Sequence, residues 1–141
     1  MMKSWVPVTV TVCVLGLAFT AAAEGGRVAT AGVYTKAQAD RGAKLFADTC
    51  ARCHGASMEG LDVAPPLTGP RFLGNYTGQP AASLASRIRT SMPLDMPGSL
   101  GLQASADLTA EILAANGYPA GADELPSSSS AQQAIVIDAV K

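Results

Sequence analysis

Cys50-Ala51-Arg52-Cys53-His54 decides the reading of this chain. The run is Cys-x-x-Cys-His, the pattern through which haem c is attached covalently. Two thiols three positions apart each form a thioether to one edge of the macrocycle, and the adjacent histidine lies where it ligates the iron. Cys50 and Cys53 are therefore the expected attachment residues and His54 the expected iron ligand. Other uses of the thiols fit less well. A zinc site needs two further ligands, yet the chain has one histidine, and its remaining cysteine, Cys13, lies in a hydrophobic leader. A thioredoxin-like pair sits beside a βαβ pattern, and no strand-rich stretch precedes Cys50.

Upstream, the chain carries an export signal. Met1-Met2-Lys3 gives a charged start, an apolar stretch runs from Val6 to Phe19, and Ala21-Ala22-Ala23 comes after it. These are the three regions of a secretory signal peptide. Residues 1–23 are read as that peptide, with cleavage after Ala23 and a periplasmic mature protein. Trp5 to Ala23 is also long enough to span a bilayer, so an uncleaved anchor is the alternative; Val12 is not the small residue a lipoprotein site prefers before Cys13. After cleavage no structural disulfide is available, so the cofactor itself is the staple that a small domain needs. Removing Lys3 leaves nine basic residues against eleven acidic ones. That balance offers no basic patch for nucleic acid.

The rest of the 141 residues suffices for one small domain. Residues 24–33 are Gly- and Ala-rich and read as a flexible arm. A helix starts after Thr35, a suitable N-cap, and Ala39, Ala43, Phe46, Ala47 and Cys50 recur at three- and four-residue spacing. Gly42 shares that face; a mid-helix glycine costs about 1 kcal/mol against alanine, which points to close approach of another helix. Residues 55–75, with Pro65, Pro66 and Pro70, read as a loop. Pro80 opens a second helix with Leu84 and Ile88 buried and Arg87 and Arg89 facing elsewhere. A third helix runs from about Ser105 to Asn116, with Leu108, Ile112 and Ala115 on one face, and Asn116-Gly117 and Pro119 stop it. Residues 127–130 read as a linker, and the apolar, β-branched run 134–140 as a strand or a covering tail. The reading is all-α, about three main helices wrapped around one haem. The long loops have the haem as their reason.

A second axial ligand must come from methionine, because the single histidine is already used. Met58 comes too soon after the haem motif to reach the far face. Met92 and Met96 remain, each succeeded by proline in a segment without a helical ladder. Either one also suits core filling. A thioether ligand raises the reduction potential and closes the iron to exogenous ligands.

These features resemble a class I cytochrome c over roughly residues 34–118, with 119–141 as a C-terminal extension. The motifs that carry the resemblance are the Cys-x-x-Cys-His run, Ala64-Pro65-Pro66-Leu67 and Thr90-Ser91-Met92-Pro93. The resemblance implies that Met92 is preferred over Met96. It also implies that the Pro65 carbonyl accepts a hydrogen bond from His54, fixing its tautomer. Leu67, Arg71 and Tyr76 are the implied pocket residues; Arg71 and Tyr76 either reach haem propionates or lie on the solvated surface. Ala115-Asn116-Gly117-Tyr118-Pro119-Ala120-Gly121 is similar to the cytochrome c modules of quinoprotein (PQQ-dependent) alcohol dehydrogenases. That resemblance implies an electron carrier, not an enzyme. Such a carrier takes single electrons from a periplasmic dehydrogenase and passes them to a cytochrome or terminal oxidase. Contact with the membrane would come only through an uncleaved leader or a complex. Two alternatives stand beside it: a fixed haem subunit of a dehydrogenase complex, and a sensor or enzyme with an open sixth position in which Arg89 or Tyr76 serves as the distal group. The chain departs from the family in having Glu111 where an aromatic packs against Gly42 and Phe46.

Overall fold

The computed structural model describes residues 1–2, 26–62 and 64–140. The expected signal peptide, its first two residues apart, lies outside them. Three long helices form the frame: α1 (Lys36–Thr49), α4 (Ala81–Ser91) and α5 (Leu102–Ala115). Three short ones join or cover them: α2 (Ala51–His54), α3 (Gly69–Tyr76) and α6 (Ser129–Gln133). Two two-residue strands, β1 (Arg27–Val28) and β2 (Ile135–Val136), pair in parallel, Arg27 opposite Ile135. Among the described residues no helix is long and apolar enough to cross a membrane.

The frame is set by α1 against α5 and by α4 against α5. Thr35 caps α1, its hydroxyl accepting the Gln38 N–H at 3.1 Å. Loss of such a cap costs about 1 kcal/mol. The buried stripe of α1 is Gln38, Ala39, Gly42 and Phe46. At Gly42 the two helices nearly touch: a Cβ there would lie 2.0 Å from the Asp107 carbonyl oxygen. The absent side chain is therefore what permits the crossing distance. Helix α5 is buried almost all round from Ser105 to Leu113, whereas Ala115, expected on the buried face, is exposed. Glu111 sits half-buried at this crossing. Burial, with Asp40 nearby, raises its carboxyl above the usual range, while Lys36 opposes the shift.

The N-terminal arm differs from the sequence expectation, and the C-terminal tail agrees with it in part. Residues 27–33, expected to be a flexible arm, are seated: Ala29 and Val33 are fully buried. The tail lies across them, with Ile135–Val136 a short strand within the run expected to be a strand or a covering tail. Leu125, Ile135 and Ile137 join the core cluster, and 129–133, expected partly as linker, is helical. Polar ties fix the closure. Gln38 donates to the Leu125 carbonyl at 3.0 Å and accepts the Leu125 N–H at 2.7 Å. Thr30 bonds the Asp138 carboxylate through both its amide and its hydroxyl. The Tyr118 hydroxyl donates to the Asp138 carbonyl at 2.6 Å, and the Gly78 amide to the Ile137 carbonyl at 2.7 Å. Neither end has a periodicity of its own because each buries its apolar residues only against the other.

Candidate haem site

Helix α1 ends at Cys50, whose carbonyl accepts the amides of Cys53 at 3.1 Å and His54 at 3.0 Å. Cys50 and the single turn of α2 that follows it thus carry both thiols and the histidine. Gly55, with φ 81°, stops that turn. A β-carbon there would collide with the Glu59 carboxylate. At Gly60 (φ 79°) a β-carbon would lie 2.5 Å from the Pro66 nitrogen. The missing side chain lets the chain at Gly60 fold back against Pro65 and Pro66, and the Gly60 amide bonds the His54 carbonyl at 2.7 Å.

This fold-back brings the Pro65 carbonyl to 2.9 Å from His54 Nδ1. A carbonyl only accepts, so Nδ1 carries the proton and the lone pair is left on Nε2. His54 is 9% exposed. Cys50 and Cys53 are free, half-buried thiols. Burial pushes the Cys50 thiol up; the Thr49 hydroxyl opposes this and Cys53 adds to it. Among the described residues no three His, Cys, Asp or Glu side chains converge on a point that could hold a metal ion. The donor set instead fits a covalent haem: two thiols free of any disulfide, and one imidazole with its outer nitrogen pinned and its inner one available.

The methionines separate by burial. Met58 is in the core, 3% exposed, on a backbone with φ 61°. Met92 caps α4, its amide bonding the Ile88 carbonyl at 3.1 Å, and is half-buried. Met96 is 60% exposed. Leu67 is half-buried against the core, as is Tyr76, whose ring centre lies 4.9 Å from that of Phe72. Burial raises the Tyr76 hydroxyl, with Arg87 opposing. Arg71 is exposed, beside a groove bordered by Glu59, Leu61, Pro65 and Pro66. Leu67 and Tyr76 frame α3, a helix inside a stretch expected to be loop. Thr68, Gly69 and Pro70 start it, with Pro in its first turn.

Two residues at the site gave no signal in the sequence beyond their local role. Asn116 was legible as a helix stop. Its side-chain amide donates to the Leu67 carbonyl at 2.9 Å and the Ile112 carbonyl at 2.8 Å, and its oxygen accepts the Gly69 amide at 3.0 Å. It therefore ties the start of α3 to the end of α5. Asp95, midway between the methionines' prolines, pairs with Arg52 of α2. The Arg52 guanidinium holds the Asp95 carboxyl below the usual carboxylate range. Nothing local links two residues so far apart in sequence.

A turn presenting Cys-x-x-Cys-His, an imidazole oriented by a proline carbonyl, and a helical frame closed over both define a c-type cytochrome. The chain belongs to the family described as cytochrome c oxidase, cbb3-type, subunit III, which it matches over residues 37–112. Membership implies covalently bound haem c and electron transfer. The chain is 36% identical over 76 residues to a thiosulfate dehydrogenase of Psychrobacter arcticus, covering 49% of this chain and 23% of that protein. It also resembles the sulfane dehydrogenase SoxCD from Paracoccus pantotrophus, with a TM-score of 0.51 and 32% identity over 61% of this chain and 45% of that one. The chain thus spans less than half the length of either relative.

Proposed function

We propose that this protein is a periplasmic monohaem cytochrome that carries single electrons from a dehydrogenase to a downstream respiratory acceptor. The strongest support for this reading is the bond from His54 Nδ1 to the Pro65 carbonyl, because it leaves Nε2 free as an iron ligand. When bound, haem c supplies a one-electron iron couple. The protein does the rest. Cys50 and Cys53 would hold the group, and His54 would ligate its iron, with the ring orientation fixed by the Pro65 carbonyl. The Met92 sulfur would be the second iron ligand, as the resemblance carried by Thr90-Ser91-Met92-Pro93 implies. Leu67 and Tyr76 supply apolar wall that excludes water, and Arg71 offers charge to a propionate. With both side chains on the iron, the site would pass electrons rather than bind substrate.

The donor is a dehydrogenase. The two relatives are named for thiosulfate and sulfane, so we place a sulfur-compound dehydrogenase ahead of the quinoprotein alcohol dehydrogenase suggested by residues 115–121. The test of the site is the absorption spectrum of the oxidised haem-loaded protein beside Met92→Leu and Met96→Leu. A weak far-red sulfur-to-iron band lost only in Met92→Leu is the expected result. No such band in the wild type, with ready carbon monoxide binding when reduced, would overturn the carrier reading.

A further inference from the structure

The segment after Met92 is poorly supported. Leu94, Asp95, Met96, Pro97, Gly98 and Ser99 are all exposed, Leu94 at 76%. Its backbone bonds are internal: the Met96 amide to the Pro93 carbonyl at 3.0 Å and the Ser99 amide to the Met96 carbonyl at 3.2 Å. Among the described residues, one polar contact ties 93–99 to another element, the ion pair between Asp95 and Arg52. Arg52 has a special position. It stands between the two attachment cysteines, on the turn that carries His54. The pair therefore joins the segment after one candidate iron ligand directly to the turn bearing the other.

We propose that Arg52 and Asp95 form a latch that holds the Met92 segment against the haem-bearing turn and so keeps the sixth coordination position closed. The inference rests on Met92 being the axial ligand. At its N-terminal side Met92 is held by the last turn of α4. On its C-terminal side the chain is free of other elements until Leu100, which packs on the core. The latch lies midway along that free span, where a single restraint most limits excursions of the segment. Both residues are positioning residues: neither touches iron, and both act through Met92. Because the pair is exposed, it works by biasing a local opening and contributes little to global stability. High salt weakens it for the same reason.

The test is the rate at which cyanide binds the oxidised, haem-loaded protein, a reaction that waits for the methionine to leave. Asp95→Asn and Arg52→Gln are each expected to raise that rate roughly two- to fivefold, the scale of an exposed pair. Molar sodium chloride is expected to raise the wild-type rate toward theirs and to leave the variants nearly unchanged. The charge-reversed double variant Arg52→Asp/Asp95→Arg is expected to return toward the wild-type rate. The far-red band is read in each protein alongside. If the wild type shows the band and both single variants bind cyanide at its rate, the latch is refuted while Met92 ligation stands. If the wild type lacks the band, the ligand assignment fails and the latch falls with it. Acceleration without rescue by the reversed pair also refutes the latch, since a lost charge anywhere on the turn would then do the same.

Discussion

Gly42→Ala sets two effects of opposite sign against each other. Alanine is favoured over glycine inside a helix by about 1 kcal/mol, so propensity alone makes the variant more stable. The crossing of α1 and α5 reverses this. A Cβ at residue 42 lies 2.0 Å from the Asp107 carbonyl oxygen and 2.7 Å from its carbon, and real Cβ contacts essentially never fall below 3.0 Å. The obstacle is backbone, which no rotamer change moves aside, so the helices must separate by about 1 Å. That movement also strains the fork in which Arg41 holds Asp107 through two bonds of 3.0 Å. Overpacking costs typically 1–3 kcal/mol, and a clash with backbone belongs at or above the upper end. With about 1 kcal/mol returned by propensity, the net loss is about 2 kcal/mol. At an m-value of about 2 kcal/mol/M the midpoint of urea unfolding falls by roughly 1 M. Gly74 provides the control, since it lies in α3 with nothing within 4 Å of its Cβ position. Gly74→Ala is expected to hold or raise the midpoint. Far-UV circular dichroism of the haem-loaded proteins in urea gives both numbers. A midpoint for Gly42→Ala at or above the wild type's would refute the close approach.

Other substitutions probe the remaining supports. Asn116→Ala strands the Leu67 carbonyl and the Gly69 amide, so a loss of about 1–3 kcal/mol is expected in the same titration; a change within a few tenths would mean that water replaces the side chain. Ile137→Ala removes a fully buried tail residue, and a loss of about 2–5 kcal/mol is expected. A cost near zero there would show the tail to be an appendage after all. Glu111 tests pH dependence. Its folded-state carboxyl sits above the ordinary value of 4.5, so the folded protein binds the proton more tightly than the unfolded chain does. Stability is then lost as pH rises from the ordinary value through the raised one. Glu111→Gln should unfold at a higher temperature than wild type at neutral pH, with the advantage shrinking toward zero below pH 4; an advantage that persists in acid would point to a cause other than ionisation.

Much of the frame was legible because it is local. The Thr35 cap, the stripe through Ala39, Gly42 and Phe46, the start after Pro80 and the stop at Asn116-Gly117 each arise from spacing within a turn or two. The same holds for the haem motif, since Cys50, Cys53 and His54 sit on one helical turn whatever surrounds it. Helix α3 was missed because Gly69, Pro70, Gly74 and Asn75 are weak helix formers. Its support comes from Asn116 and from Phe72 in the core, neither of which the segment's own composition reveals.

By itself, the sequence determined the helical class, the attachment turn and the short list of methionines, because periodicity and a five-residue motif are properties of neighbours. Tertiary structure alone decided the rest. Arg52 finds Asp95 across 43 positions. The arm and the tail, neither able to bury its apolar residues alone, close on each other through Arg27–Val28 and Ile135–Val136. Each of these contacts joins residues far apart in the chain, and whether they meet depends on how the helices pack, which no local pattern encodes.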